Sequence, residues 1–271
     1  MAPPSSDHLS GAGGPGPGTL AAALAASRAV DRARIELVTT VAGPGTRDAA
    51  PVAVVNRGAY ERSGGRAQAE SDMSALAAAL EAAGQPLGGD WSEPTRVVID
   101  GETLYSQLGP MAESLGRSAT DWNRVQLLAV MAHGATDNDA LALALDPLGP
   151  LDLLERPVVE IGEVGRDDVR GEPVVHLRAS LALGGPTADG ATEPSSMSFE
   201  GRMRAAGVEI LPVDVWLDDA GIIRRLHVDV DAALAGHAPP TGMSTTFDLY
   251  DVEGDVAVEV PPESAVVSPG L

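Results

Sequence analysis

Cysteine is absent from the 271 residues, which excludes disulfides, thiol catalysis and Cys-ligated metal while leaving the compartment open. Lysine is absent as well. All 18 basic residues are arginine, set against 39 acidic ones, for a formal charge of −21. A phosphate backbone demands a basic stripe; none is present, so nucleic acid is excluded as a partner. The same charge argues against adhesion to an anionic membrane surface and is read as a solubility device. Aromatic residues make up only 3%, so a core has to be built from Ala, Val and Leu. No stretch approaches the roughly 18–20 uncharged apolar residues of a membrane span. The N-terminus shows no basic region followed by an apolar segment, and no signal peptide is read there.

Catalytic and metal-binding signatures are also scarce. The five histidines are His8, His133, His176, His227 and His237, and no HxxxH or HxE spacing occurs. His176 and His227 fall on outward strand faces and are expected to be solvent-exposed. Asp218, Asp219, Asp229 and Asp231 do not have EF-hand spacing, and turn chemistry with strand alternation explains them. No GxSxG elbow is present. Asp137 and Asp139 stand at an expected helix start, where carboxylates favour the helix dipole. The expectation is a protein without enzymatic activity, without a cofactor and without a metal.

What is present is period-two alternation. Residues 1–18 are Pro/Gly/Ser-rich and read as a disordered tail. Thr19 to Ala33, "TLAAALAASRAVDRA", reads as a helix with Thr19 as N-cap. Strands follow in "RIELVTTV", in two runs around Ser63-Gly64-Gly65, and in "TRVVIDGETLYSQL" around Asp100-Gly101. Two more lie in "VVEIGEVGRDDVRGEPVVHLRASLAL", and the last in "MSTTFDLYDV" and "DVAVEV". Helical pieces are "MSALAAALEAA", "VQLLAVMAHG", "NDALALALDPLGPLDLLERP" and "FEGRMRAAG"; residues 184–198 form a mobile loop. Strand runs with sparse helices, rather than βαβ repeats, favour an antiparallel sheet with helices to one side, an α+β fold. One domain over residues 19–267 is expected, followed by a tail at 268–271.

The clearest hairpin is "LPVDVWLDDAGIIRRLHVDVD", residues 211–231. Asp218-Asp219-Ala220-Gly221 suits a type I turn. Side-chain parity then pairs Leu217 with Ile222, Val213 with Leu226 and Leu211 with Val228 on the apolar face. Asp214 with Arg225 and Trp216 with Ile223 take the outer face, with His227 near Pro212. Arg224 falls on the apolar face and is expected to snorkel outward. Each buried Val or Leu is worth about 1.5–3 kcal/mol. That force is the same whether the cover is a helix or a ligand.

"LPVDVWLDDAGIIRRLHVDVD" followed by "TTFDLYDVEGDVAVEVPPESAVV" resembles the C-terminal half of the actinobacterial LppX/LprG-type lipoproteins. "RVVIDGETLYSQL", "DWNRVQL", "DPLGPLDLLERP" and "VGRDDVRGEPVVHLRASL" stand upstream in that family's order. The resemblance covers roughly residues 20–267 and is strongest from Val158 to Val267. It implies a half-open antiparallel β-barrel, a strongly curved LolA-like sheet with helices on its concave side. It also implies an apolar cavity that takes acyl chains of a lipid or glycolipid, and a place in the cell envelope. Under that reading Val175, Leu177, Leu211, Val213, Val215, Leu226, Val228, Phe247 and Leu249 are the expected lipid-cavity wall. The family's signal peptide and lipid-modified Cys are absent from the chain. Either a leader is missing upstream or the protein is a cytoplasmic paralogue with Met1 as its true start. The alternative function is a protein-interaction or sensor module with a filled core, meeting an unknown partner through its sheet edge.

Overall fold

The twelve strands of the described residues run almost entirely antiparallel in one sheet. The computed structural model describes residues 15–44, 50–89, 91–107, 109–112, 118–132, 139–183, 199–235 and 242–267. The expected loop at 184–198, the tail at 268–271, residues 1–14 of the N-terminal tail and His8, His133, His237 and Asp137 lie outside the described residues, as does the Asp139 side chain.

The chain starts with helix α1 (Pro17–Ala29), followed by β1 (Arg32–Val41), β2 (Val52–Glu61), β3 (Arg66–Asp72) and α2 (Ser74–Ala82). Next come β4 (Thr95–Asp100), β5 (Thr103–Gln107), β6 (Trp122–Gln126), α3 (Leu127–Ala132) and α4 (Asp139–Leu145). A 3₁₀ turn, Gly149–Glu155, leads to β7 (Val158–Val169), β8 (Glu172–Ala182) and α5 (Phe199–Ala205). The last elements are β9 (Ile210–Leu217), β10 (Ile223–Asp229), α6 (Val230–Ala233), β11 (Ser244–Tyr250) and β12 (Val266–Val267). The sheet order is β12-β6-β5-β4-β3-β2-β1-β11-β10-β9-β8-β7. The sheet is strongly curved but open, an α+β arrangement with free edges at β12 and β7.

Local chemistry accounts for most of these boundaries. Pro17 presets the first turn of α1, so the helix starts two residues before Thr19. Gly16 is its N-cap, and the Gly16 N–H donates to Thr19 Oγ1 at 3.1 Å. The helix stops at Ala29 rather than Ala33 because Arg32 and Ala33 pair with Glu61 and Tyr60 in the sheet. Between β4 and β5, Asp100 pairs with Thr103, and Gly101 supplies the φ of 59° needed at the first position of a two-residue loop. Gly58 is required for packing: a Cβ there would lie 2.9 Å from the Gln68 carbonyl and 3.0 Å from Ile35.

Three expectations are corrected. The helix read over "VQLLAVMAHG" begins only at Leu127, because Val125 and Gln126 pair with Leu104 and Thr103 as part of β6. "DVAVEV" is not a strand. It belongs to a strap that leaves β11 and crosses the outer face of β2–β5, where the Glu259 N–H donates to Gln68 Oε1 at 2.9 Å. The strap ends as β12, paired parallel to β6, with Arg124 bonded to Glu263 at 2.6 Å. It accounts for the burial of Ala59, Val98 and Tyr105, whose parity places them on the outer face.

The third correction concerns the β9–β10 hairpin. Parity holds, but the register slips by two beyond a bulge at Arg224, giving Leu226↔Val215 and His227↔Asp214. The bulge turns Ile223 into the core, fully buried, instead of onto the outer face opposite Trp216. The N–H of Ile223 then donates to Ser27 Oγ of α1 at 2.9 Å, and Ser27 donates in turn to the Ala23 carbonyl. Arg224 does not escape fully to solvent: it is half-buried against Asp218 at 3.3 Å.

Outside, one register row crosses ten strands: Gly165, His176, Trp216, Arg225, Asp248, Glu36, Arg57, Glu70, Arg96 and Gln107. From Arg225 to Arg96 opposite charges alternate along it, except where Asp248 meets Glu36. Arg170, at the tip of the β7–β8 hairpin, bonds both acids and lies over the Tyr250 ring at 4.2 Å. Arg170 and Gly171 have φ of 55° and 85°, the paired left-handed conformation of a tight hairpin loop. For an arginine this costs about 1–2 kcal/mol, which its two carboxylate partners offset.

Candidate functional site

The concave face of the sheet differs from end to end. On β8–β11, Leu177, Leu211, Val213, Val215, Leu226, Val228, Phe247 and Leu249 are buried, and Val175 is half-buried. All nine belong to or pack on one hydrophobic cluster with Leu20 and Leu24 of α1 and Leu151 and Leu154 of the 3₁₀ turn. Arg28 of α1 ties these two covers together through Glu155 at 2.6 Å and through Asp152.

On β2 and β3 the same face carries several small side chains, Gly58, Ala67, Ala69 and Ser71, while β4 and β5 present Val97, Ile99 and Leu104. Here a pocket of about 350 Å³ opens between the sheet and the C-terminal end of α4. Its floor is apolar, formed by Ala67, Ile99, Leu127, Ala144 and Leu148. Its rim is charged, with Glu61, Arg62, Arg66 and Asp146. Helix α4 stops at this point because Asp146 precedes Pro147, which disfavours helical geometry in the residue before it. Leu127 is held in place by donation of its N–H to the Glu102 carbonyl at 2.9 Å.

Tyr60 also lines the pocket. Its side chain is buried and its hydroxyl has no hydrogen-bond partner. Burial pushes the phenol up to about 12, so at neutral pH it stays protonated and remains a donor. Arg62, the first residue of the turn after β2, also lines the pocket and forms no ion pair among the described residues. The nearby Asp31 carboxylate is held instead by the Ser63 N–H and Oγ at 2.8 and 2.9 Å. Arg66 is committed to Asp100, with its Nε donating at 2.8 Å.

None of the nine wall residues expected from the sequence lines this pocket. They stand together on the adjoining part of the concave face. Tyr60, Arg62 and the end of α4 went unremarked in the sequence. The available signal was a lone tyrosine at an inward position of β2, with arginines two and six residues later.

The remaining candidates have structural roles. His176 is half-buried rather than exposed. Its ring stacks on Trp216 at 4.3 Å between centroids, and its Nε2 lies 2.7 Å from Asp214 Oδ1. Asp214 is bonded as well to Arg178, and the indole of Trp216 donates to Asp167. An imidazole beside a carboxylate is half of a hydrolytic pair, but no serine is among its partners. His227, also half-buried, bonds Thr246 Oγ1 at 2.9 Å. Asp218 accepts from the N–H groups of Ala220 and Ile222, Asp229 caps α6 by accepting from Ala232, and Asp231 accepts from the Gly242 N–H. No group of three or more potential metal ligands forms among the described residues, and no described helix is long and apolar enough to cross a membrane.

No family model matches the chain, and no curated protein matches it. Among solved structures the chain is similar to LprF from Mycobacterium bovis, at 15% identity and a TM-score of 0.49, covering 92% of this chain and 99% of that one. It is similar to lipoprotein LppX of Mycobacterium tuberculosis, at 11% identity and a TM-score of 0.42, over 90% and 100% of the two chains. A LolA superfamily protein from Nitrosomonas europaea follows at 10% identity and a TM-score of 0.28, over 92% and 96%. The first two are lipoproteins of the LppX/LprG type, the family that the sequence resembles.

Proposed function

We propose that the protein binds and carries an amphiphile, a lipid or glycolipid, with its apolar chain in the β2–β5 pocket and its polar head at the rim. One observation carries this reading: an apolar floor beneath a charged rim, enclosing about 350 Å³ on the concave side of a curved sheet. That volume is near the lower end of the roughly 300–1,000 Å³ of small-molecule sites, and it suits one chain rather than several. Each methylene withdrawn from water contributes about 0.8 kcal/mol, so binding needs no chemistry and the reading is not enzymatic. A longer chain would run along the concave face toward Val175, Leu177 and the β9–β11 wall, displacing α1 or the 3₁₀ turn. The sequence resemblance supports a role at the cell envelope.

The alternative, an interaction module using the sheet edge, has exposed Val159 and Val164 on β7 in its favour. The two bulges in that strand count against addition of another strand. Mass spectrometry of the protein purified from its native host, sprayed intact and after solvent extraction, tests the carrier reading. A bound lipid at one per chain is the expected result. No retained lipid, together with no binding of either dodecanoate or dodecanol in solution, would overturn it.

A further inference from the structure

We propose that Arg28 sets the length of chain the protein accepts, by clamping α1 as a displaceable cover over the apolar wall that continues the pocket. This inference rests on the reading of the pocket as an amphiphile site and names what limits the chain it takes.

The pocket ends where the filled wall begins. Leu148 forms part of the pocket floor and is also the N-cap of the 3₁₀ turn, its carbonyl accepting from the Leu151 N–H at 2.8 Å. Leu151 and Leu154 of that turn are buried in one cluster with Leu20 and Leu24 of α1 and the β8–β11 wall. The Gly149–Glu155 turn thus joins the open space to the covered wall, and α1 packs on the turn.

This cover is lightly held. Leu20 and Leu24 are the only large apolar side chains of α1, and both are buried; its other apolar positions are alanine. Gly16, its N-cap, has no side chain to bond the first turn. Two polar attachments fix the C-terminal end. Ser27 Oγ accepts from the Ile223 N–H at 2.9 Å, and Arg28 bridges Glu155 at 2.6 Å and Asp152. A buried leucine is worth about two to four methylenes, so two leucines match roughly four to eight. Moving them into water while a ligand lays six more methylenes on the wall is close to an even exchange. The attachments of Arg28 then decide it in favour of closure. In this scheme Arg28 touches no ligand; it positions the cover.

Dodecanoate and octadecanoate, which differ by about six methylenes in this comparison, test the clamp by equilibrium dialysis of the radiolabelled acids against the full chain. Six methylenes entering an open cavity would tighten binding by about a thousandfold or more, at about fourfold each. Octadecanoate is expected instead to bind within about tenfold of dodecanoate. It should also speed hydrogen exchange of the Ile223 amide by about tenfold or more, because the displaced Ser27 no longer accepts from it; dodecanoate should leave that amide protected. Arg28→Gln should tighten octadecanoate by about threefold, the size of an exposed ion pair, and leave dodecanoate unchanged. Arg28→Lys, which keeps the charge, should restore the wild-type ratio; a general loosening of the fold would not single out the longer chain. Octadecanoate bound about a thousandfold tighter with Ile223 still protected would mean that the wall is already open. Equal binding with Ile223 protected and Arg28→Gln without effect would mean that the longer tail stays in water. Either result overturns the clamp and leaves the pocket reading standing. Failure of both acids to bind either protein overturns the pocket reading itself.

Discussion

The two parts of the concave face are built from the same backbone pattern and put it to opposite uses. On β8–β11, alternate positions carry Leu, Val and Phe, and α1 with the Gly149–Glu155 turn closes over them. On β2–β6, the equivalent positions mix Tyr60, Val97, Ile99 and Leu104 with the smaller Gly58, Ala67, Ala69, Ser71 and Ser106, and the short α4 covers them only in part. Large side chains complete a packed interior; small ones under a short helix leave volume. The buried polar atoms divide in the same way. Of the four without a partner among the described residues, Asn56 Oδ1, Tyr60 Oη and Asn123 Oδ1 belong to the β2–β6 part, and Arg224 Nη1 to the bulge. Each such atom costs about 1–3 kcal/mol. Of these residues only Tyr60 lines the pocket; the open part of the face is the part suited to a ligand, and the filled part is the framework.

If that division is right, substitutions in the two parts should differ in kind. Leu211→Ala, at a fully buried framework position, should cost about 2–5 kcal/mol in denaturant unfolding. A cost below about 1 kcal/mol would mean the β8–β11 wall is not packed.

Asp248→Asn should cost about 3 kcal/mol, because it leaves Arg225 and Arg170 without the buried carboxylate they share. Burial opposes the charge on Asp248, but the hydrogen bonds from Arg225 and Arg170 outweigh it and hold the carboxyl below the usual range. A group whose folded value is depressed stabilises the protein above its unfolded value, about 3.9 for Asp. That contribution is lost as pH falls from there through the lower folded value. Wild-type stability should therefore decline on acidification below about pH 4 more steeply than that of Asp248→Asn. Parallel pH–stability curves from thermal melts would remove Asp248 from this role.

A smaller loss, about 1 kcal/mol, is expected for Gln68→Ala, which frees the strap from β3; protection of the Glu259 amide against hydrogen exchange reports it directly. The smallest effect on stability belongs to Ala67→Leu. Its added methyls enter the pocket rather than a packed core, so the change should stay within about 1 kcal/mol, while dodecanoate binding falls by tenfold or more. A large loss of stability with binding intact would show that the space is not a ligand site.

Much of the framework was legible in residues alone. Alternation in "RIELVTTV" and "LPVDVWL" assigned inward and outward faces correctly, because strand parity is a property of adjacent residues. The paired glycines and Asp100-Gly101 located two hairpins because their φ requirements are local. Errors came where a distant segment intervened. The bulge at Arg224 depends on Ser27 of α1, nearly two hundred positions away, accepting the freed N–H of Ile223. "DVAVEV" alternates like a strand, yet its side-chain anchor on Gln68 takes it across the sheet instead of into it. The pocket was not legible, since Ala67 and Ala144 look no different in sequence from alanines in a packed core.

The sequence by itself determined an α+β chain of antiparallel strands with one apolar face and a strongly acidic charge balance. Tertiary structure alone decided which part of that face would be filled. Alternation specifies which way a side chain points, but the volume left above it depends on the size and placement of the covering helix. Here α1 and the 3₁₀ turn close over β8–β11, whereas α4 stops at Asp146-Pro147 and leaves Tyr60 and Arg62 beside open space.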